Sequence, residues 1–267
     1  MSADQMTLWT MTNGTIINTA AVLVGGLIGL AISGSLPDRY RAYVMNVLGL
    51  VTVTLGIDAS VLTFSSTAQR MAPLVDDGET YGARMALVMI GSLIIGGGIG
   101  TFLRIHDRIE GTGQWIHKFV SSGDGDQGRF AEGFLTASVI FCVGPLALLG
   151  CMKNGAEGDP TYLYIKSILD GFCAMALASS LGLGVLASMV TVLLFQGGLS
   201  LLAANLPVEP FAMEMMTIVG GIVLLATSLL LLELKKIPVA DLLPAIFLPP
   251  LIIAGVHAVR PGLLLPA

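Results

Sequence analysis

Lys166 and Asp170 stand four residues apart in YIKSILDGF, a run otherwise fit for the interior of a bilayer. That spacing puts both side chains on one helix face, within reach of an ion pair. Four more polar residues have equally apolar surroundings: Asn18 in GTIINTAAVLVGGLIG, Asp58 in VTVTLGIDAS, Ser167 beside the lysine, and Gln196 in VTVLLFQGG. A carboxylate in such a place can take a proton or a cation, and a nearby lysine tunes its charge. Amides and hydroxyls can add oxygen contacts. Asp170, Lys166, Asn18, Asp58, Ser167 and Gln196 are therefore the candidate substrate- or ion-binding residues.

Depth gives the pair its weight. GDP, Gly158 to Pro160, reads as a helix start, with Asp159 as N-cap and Pro160 at the first helical position. At about 1.5 Å per residue, Asp170 lies roughly 15 Å along that helix, near mid-bilayer. An isolated aspartate there costs about 2.5–3.5 kcal/mol on insertion scales. Two readings fit: a structural ion pair facing the bundle, or a polar site on a substrate or proton path. Asp58, unpaired in sequence, is either protonated or near water. Glu132, Glu214 and Glu233 fall near span ends and read as interfacial. Asp241, in PVADLLP, reads as a cap for the last helix.

The elements that carry these residues follow from composition. The chain has 267 residues, 54% hydrophobic and 12% charged. Its mean hydropathy is +0.85. A soluble domain needs more charge to cover its surface. Gly14 to Pro37 and Leu181 to Val208 hold no charge at all. Runs of about 20 apolar residues read as spanning helices, and continuous rather than alternating apolarity excludes a β-barrel. The expectation is an all-α polytopic membrane bundle forming one integral membrane domain over 1–267. Eight spans are expected, at 15–34, 43–64, 84–103, 131–151, 161–179, 182–204, 213–234 and 240–258. SSLGLG, Ser179 to Gly184, is the turn between the fifth and sixth. Gly144–Pro145 breaks the fourth span, and Pro249–Pro250 the eighth.

Arg39, Arg41, Arg104, Arg108, Lys118, Arg129, Lys235 and Lys236 fall on one side of an eight-span chain, which is then cytoplasmic. Both termini are expected outside. The long loop, 105–130, is cytoplasmic; Trp115, Ile116, Phe119 and Val120 read either as a short interfacial face beside Lys118 or as part of a solvated linker, and SSGDGDQG as a flexible link. The start, MSADQMTLWTMTNG, lacks a basic signal-peptide region, so the first apolar run reads as a retained helix.

Several function classes drop out. The net charge of −5 comes with no basic cluster, so no nucleic-acid partner is expected. Cys142, Cys151 and Cys173 are odd in number and read as small apolar packers; His106, His117 and His257 are dispersed. No metal or cofactor is expected. GGGIG and GGLIG read as close helix packing rather than a dinucleotide loop. With no nucleophile–base set, an enzyme is not expected.

An internal repeat is suggested by four weak matches in shared order: GTIIN with KSILD, VTVTL with VTVLL, IIGG with IVGG, and PLALLG with PLIIAG. They fit two parallel four-helix halves, 14–151 and 160–258, or chance similarity among apolar helices. The repeat pairs Asn18 with Asp170 and brings Asp58 near the counterpart of Gln196.

Longer stretches carry a resemblance. GTIINTAAVLVGGLIG with LPDR, FCVGPLALLG with NGAEGDP, KSILDGFCAMALASSLG, and VGGIVLLATS with IPVADLLPA span nearly the whole chain. In combination the sequence resembles domain of unknown function 554, the YdfK/YqgA-like bacterial inner-membrane proteins. The resemblance implies a multi-pass inner-membrane protein and implies no substrate. Asn18, Lys166, Ser167 and Asp170 fall on matching positions.

The expected function is a secondary transporter or permease for a small polar solute or ion, driven by a gradient because no ATPase motif is present. The alternative is a non-transporting membrane scaffold or sensor. The expected partners are the lipid bilayer and the solute, and the glycine-rich faces permit a homo-oligomer.

Overall fold

The computed structural model describes residues 7–32, 38–75, 78–108, 125–142, 144–206 and 208–265. Among them all regular structure is helical, with no strand. The helices are α1 (Leu8–Ala31), α2 (Asp38–Ile57), α3 (Thr63–Met71), α4 (Tyr81–Phe102), α5 (Gly125–Cys142), α6 (Pro145–Glu157), α7 (Thr161–Leu181), α8 (Leu183–Ala204), α9 (Pro210–Leu231) and α10 (Leu248–Val259). A π-helical turn, Asp58–Leu62, joins α2 to α3, and a 3₁₀ stretch, Val239–Phe247, precedes α10. The expected interfacial face at 115–120 and the start of the link after it lie outside the described residues.

Six segments are long and apolar enough to cross a membrane: Leu8–Ala31, Asn46–Leu74, Gly78–Phe102, Leu183–Ala204, Pro210–Leu231 and Val239–Val259. The pair α5–α6, bent by 61°, makes a seventh if it is one span. The sequence leads one to expect eight. The difference is the expected fifth span, which forms the 21-residue α7. That helix is of spanning length, but Lys166 and Asp170 lower its mean hydropathy.

Local chemistry explains the breaks. Pro145 opens α6 after extended Gly144, as expected. Pro249 and Pro250 sit in the first turn of α10 and open that helix rather than interrupt it. The irregular part lies upstream, in the 3₁₀ stretch around Pro244. α7 begins one residue later than expected, at Thr161, whose N–H donates to Asp159 Oδ1 at 3.0 Å. Gly182 turns α7 into α8 at φ 76°, ψ −151°, a conformation only glycine adopts without strain.

The chain forms two compact units, Met1–Met45 with Asp107–Pro207, and Asn46–His106 with Val208–Ala267. Each draws segments from both expected repeats, so neither unit is a repeat. In the first unit, a Cβ at Gly25 would collide with the Gly171 carbonyl of α7, and one at Gly29 with the Met175 carbonyl. These two glycines let α1 and α7 touch backbone to backbone. Val22, Ala137, Phe141, Ala174, Val185 and Val192 pack together beside them. Asn154 of α6 ties down the start of α1: its Nδ2 donates to the Thr10 carbonyl at 2.7 Å, and its Oδ1 accepts from Gly14 N at 3.2 Å.

In the second unit, Met71, Tyr81, Met85, Phe211, Met215 and Ile253 form the core. The segment after α10 folds onto it. Tyr81 Oη donates to the Leu264 carbonyl at 2.9 Å, and Arg84 Nη1 to the Leu263 carbonyl at 3.0 Å. Glu214, expected to be merely interfacial, accepts from Arg70 and from Thr67 Oγ1. Asp241 does not cap the last helix. Its Oδ1 accepts from His106 N at 2.8 Å and so fixes the chain just after α4.

Candidate functional site

α7 directs Tyr162, Leu163, Lys166, Ser167, Asp170, Ala174 and Ala178 inward, a stripe set by its helical period. Lys166 and Asp170 are each only 6% exposed. Lys166 Nζ donates to Asp170 Oδ1 at 2.7 Å and to Oδ2 at 2.5 Å. The i,i+4 pair read from sequence is therefore formed, buried and closed on itself.

The pair continues into a chain of hydrogen bonds. Asn18 Nδ2 of α1 donates to Asp170 Oδ2 at 2.9 Å and to Gln196 Oε1 of α8 at 3.1 Å. Gln196 Nε2 in turn donates to the Phe141 carbonyl of α5 at 3.4 Å. Phe141 is the residue four before Pro145, whose ring nitrogen has no hydrogen to offer that carbonyl. The Gln196 amide supplies the donor that the broken helix lacks. Four elements thus meet through one polar chain, and three of its links are fully buried: Asn18 and Gln196 are 0% exposed, and Phe141 is likewise.

Acceptors are left over. Asn18 Oδ1 and Thr15 Oγ1 one turn earlier on α1 are buried and have no hydrogen-bond partner among the described residues; Ser200 Oγ, one turn after Gln196, is buried beside the Cys151 thiol. The Asn18 amide has spent both hydrogens, so its oxygen is free to accept. A buried carboxylate, an ammonium and a spare amide oxygen can bind a proton, a monovalent cation or a hydrogen-bonding solute only if Lys166 moves off both carboxylate oxygens.

Of the six residues singled out in the sequence, the fold brings Asn18, Lys166, Asp170 and Gln196 together. Ser167 is buried beside them, but its hydroxyl donates back to the Leu163 carbonyl at 2.7 Å. It lines an apolar groove of about 250 Å³ between α1 and α7, whose walls include Gly25, Gly171 and Phe172 and not Asp170. Asp58 is not part of the network. It lies in the other unit, on the π-helical turn, with its side chain exposed.

The sequence reading missed Thr15, Ser200 and Asn154. Single hydroxyls in apolar helices carry no signal, because most return a bond to their own backbone. Asn154, in NGAEGDP, looked like a loop residue. Among the described residues the three cysteines are unbridged thiols, and no group of His, Cys, Asp and Glu could hold a metal ion.

Comparison with known proteins places the chain. It is 31% identical to the uncharacterized membrane protein YdfK of Bacillus subtilis (strain 168) over 247 residues, 92% of this chain and 97% of that protein. It is 32% identical to the uncharacterized protein YqgA of Escherichia coli (strain K12) over 241 residues, 89% of this chain and 94% of that one. No solved structure matches. The model of the family described as protein of unknown function (DUF554) matches residues 13–254, which include Asn18, Lys166, Asp170 and Gln196. The chain belongs to this family, and is a multi-pass membrane protein by its apolar helices and its relative.

Proposed function

We propose that the protein is a secondary transporter or permease for a small polar solute or ion, with its site at the Lys166–Asp170–Asn18–Gln196 network. One observation carries this reading. A lysine–aspartate pair is buried among apolar helices, bonded to Asn18, whose amide oxygen is buried and has no hydrogen-bond partner among the described residues. Ionisable groups at such depth face the bundle interior and mark ion or substrate pathways. Asp170 takes the cation or proton, Lys166 holds the carboxylate when it is empty, and Asn18 adds a contact from α1. The closed pair corresponds to an occluded state. Coupling comes from an ion gradient.

The same reading places the protein in a bacterial inner membrane. Counting α5–α6 as one span and α7 as another gives eight, which puts both termini outside. The weak repeat, with Asn18 set against Asp170, belongs to it as well. The test is flux into proteoliposomes under imposed pH, sodium and potassium gradients, with entry read by ion-sensitive dyes. Unsubstituted protein is expected to dissipate one of these gradients, and Asp170→Asn to lose that activity while inserting normally. Equal flux from Asp170→Asn would discard the site.

A second reading has its own support. The pair is closed on itself, and the groove beside α7 does not reach the carboxylate. A scaffold or sensor that uses the pair only to lock α1, α7 and α8 would look the same. In that case substitutions lower thermal stability in detergent and alter no flux.

A further inference from the structure

The polar network of the first unit has two unlike sides. Toward the α7–α8 turn, each of its four members is followed one helical turn on by an apolar residue: Asn18 by Val22, Asp170 by Ala174, Gln196 by Val192 and Phe141 by Ala137. All four are fully buried and belong to one packed cluster. The hydroxyls beyond them are already engaged. Ser188 Oγ donates to the Val185 carbonyl at 2.6 Å, and Ser138 Oγ to Thr191 Oγ1 at 3.1 Å. On this side an ion or polar solute meets a dry layer, where losing its water is costly.

The opposite side is polar. One turn that way Asp170 has Lys166, Asn18 has Thr15 and Gln196 has Ser200, all buried. Thr15 Oγ1 has no hydrogen-bond partner among the described residues, and Ser200 lies beside the Cys151 thiol of α6. Beyond these groups the unit is shut by two side chains. Leu163 of α7 is fully buried, and a Cβ at Gly14 of α1 or at Gly150 of α6 would collide with it. Asn154, fully buried on α6, bridges to the start of α1. Its Nδ2 donates to the Thr10 carbonyl at 2.7 Å and to Asn13 Oδ1 at 3.1 Å, and its Oδ1 accepts from Gly14 N at 3.2 Å.

We propose that Asp170 is reached from this end, and that Asn154 and Leu163 form the gate, which opens when α6 parts from the start of α1. The proposal rests on the network being the transport site. All three bonds of the bridge run through one amide, so one displacement of Asn154 breaks them together. The Gly144–Pro145 break gives α6 a pivot: Gly144 is extended, and a Cβ there would meet nothing within 4 Å. Parting the two helices uncovers Thr15 and Lys166 before the Asp170 carboxylate. The apolar cluster keeps the other side closed meanwhile.

The test uses two native thiols of the full chain in detergent. Cys151 lies one turn before Asn154 on the polar side, Cys142 lies in the apolar cluster, and both are buried. A small charged methanethiosulfonate is added, and modification of each thiol is followed by mass spectrometry. In the unsubstituted protein Cys151 is expected to react faster than Cys142, because local opening exposes its side first. In Asn154→Ala the rate at Cys151 is expected to rise about tenfold while that at Cys142 stays the same. Leu163→Ala is expected to do likewise, and it stands in for Asn154→Ala if that variant does not fold. Cys142 reacting as fast as Cys151 in the unsubstituted protein overturns the side of entry. No rise at Cys151 in the folded variant, or an equal rise at both thiols, overturns the gate. The thiol rates do not depend on flux, so the gate can fail while the site stands. Equal ion flux from Asp170→Asn discards the site itself, and the route to it, whatever the thiols do.

Discussion

At the scale of single residues, the Lys166–Asp170 pair makes a sharp energetic prediction. Removing one member of a buried pair strands the other, at a cost of about 3–5 kcal/mol. Removing both in favour of apolar side chains of similar volume is often neutral. Asp170→Ala is therefore expected to lower the melting temperature in detergent strongly, and Lys166→Met/Asp170→Leu to sit close to the unsubstituted protein. A double variant as unstable as the single one would show that Asn18 and Gln196 depend on the carboxylate as much as the lysine does. Gln196→Ala removes the donor to the Phe141 carbonyl, which Pro145 cannot serve. The expected loss is about 1–3 kcal/mol, the cost of a buried carbonyl left without a partner. A melting temperature unchanged by this substitution would mean that the 3.4 Å contact contributes nothing.

At the scale of elements, glycine decides which helices touch. Gly25→Val drives side-chain carbons into the Gly171 carbonyl, so α1 must move off α7 and stretch the Asn18–Asp170 bond. Overpacking of this kind costs about 1–3 kcal/mol, measurable as a lower melting temperature and looser detergent-phase proteolysis. Gly91→Ala, where a Cβ meets open space, serves as the control and should be silent. Gly182→Ala forces a side chain into a backbone region reserved for glycine, at about 1–3 kcal/mol.

Much of this level was readable in the chain. The approximate helix positions, the α7–α8 turn and the break at Pro145 follow from hydropathy, glycine and proline. The meeting of Asn18 with Asp170 could be anticipated because polar groups in apolar helices seek each other. Other contacts left no trace. Arg70 and Glu214 look like ordinary span ends, and their partnership depends on how α3 lies along α9. Asp241 had the right chemistry for a cap, but it binds His106 N instead of its own helix. The π-helical turn at Asp58 has no sequence signature, and neither does the close approach of Ala59 and Ser60 to Gly221 of α9 that accompanies it.

At the scale of the molecule, the charge that makes α7 interesting also makes it hard to count. Six segments, or seven with the bent pair, are apolar enough to span. Adding α7 gives an even number, and both termini then lie on the same side. Tags at the two ends should show equal accessibility to an impermeant protease in intact spheroplasts. Protection of one end alone would remove α7 or the bent pair from the spanning set.

The account stands or falls on whether the polar chain through α1, α5, α7 and α8 serves flux rather than assembly. Ion entry into proteoliposomes bearing Lys166→Met/Asp170→Leu measures this most directly, because that variant keeps the fold while losing the charges. The account predicts a melting temperature near that of the unsubstituted protein and no ion entry. Ion entry at the unsubstituted rate from the same well-folded variant would contradict it.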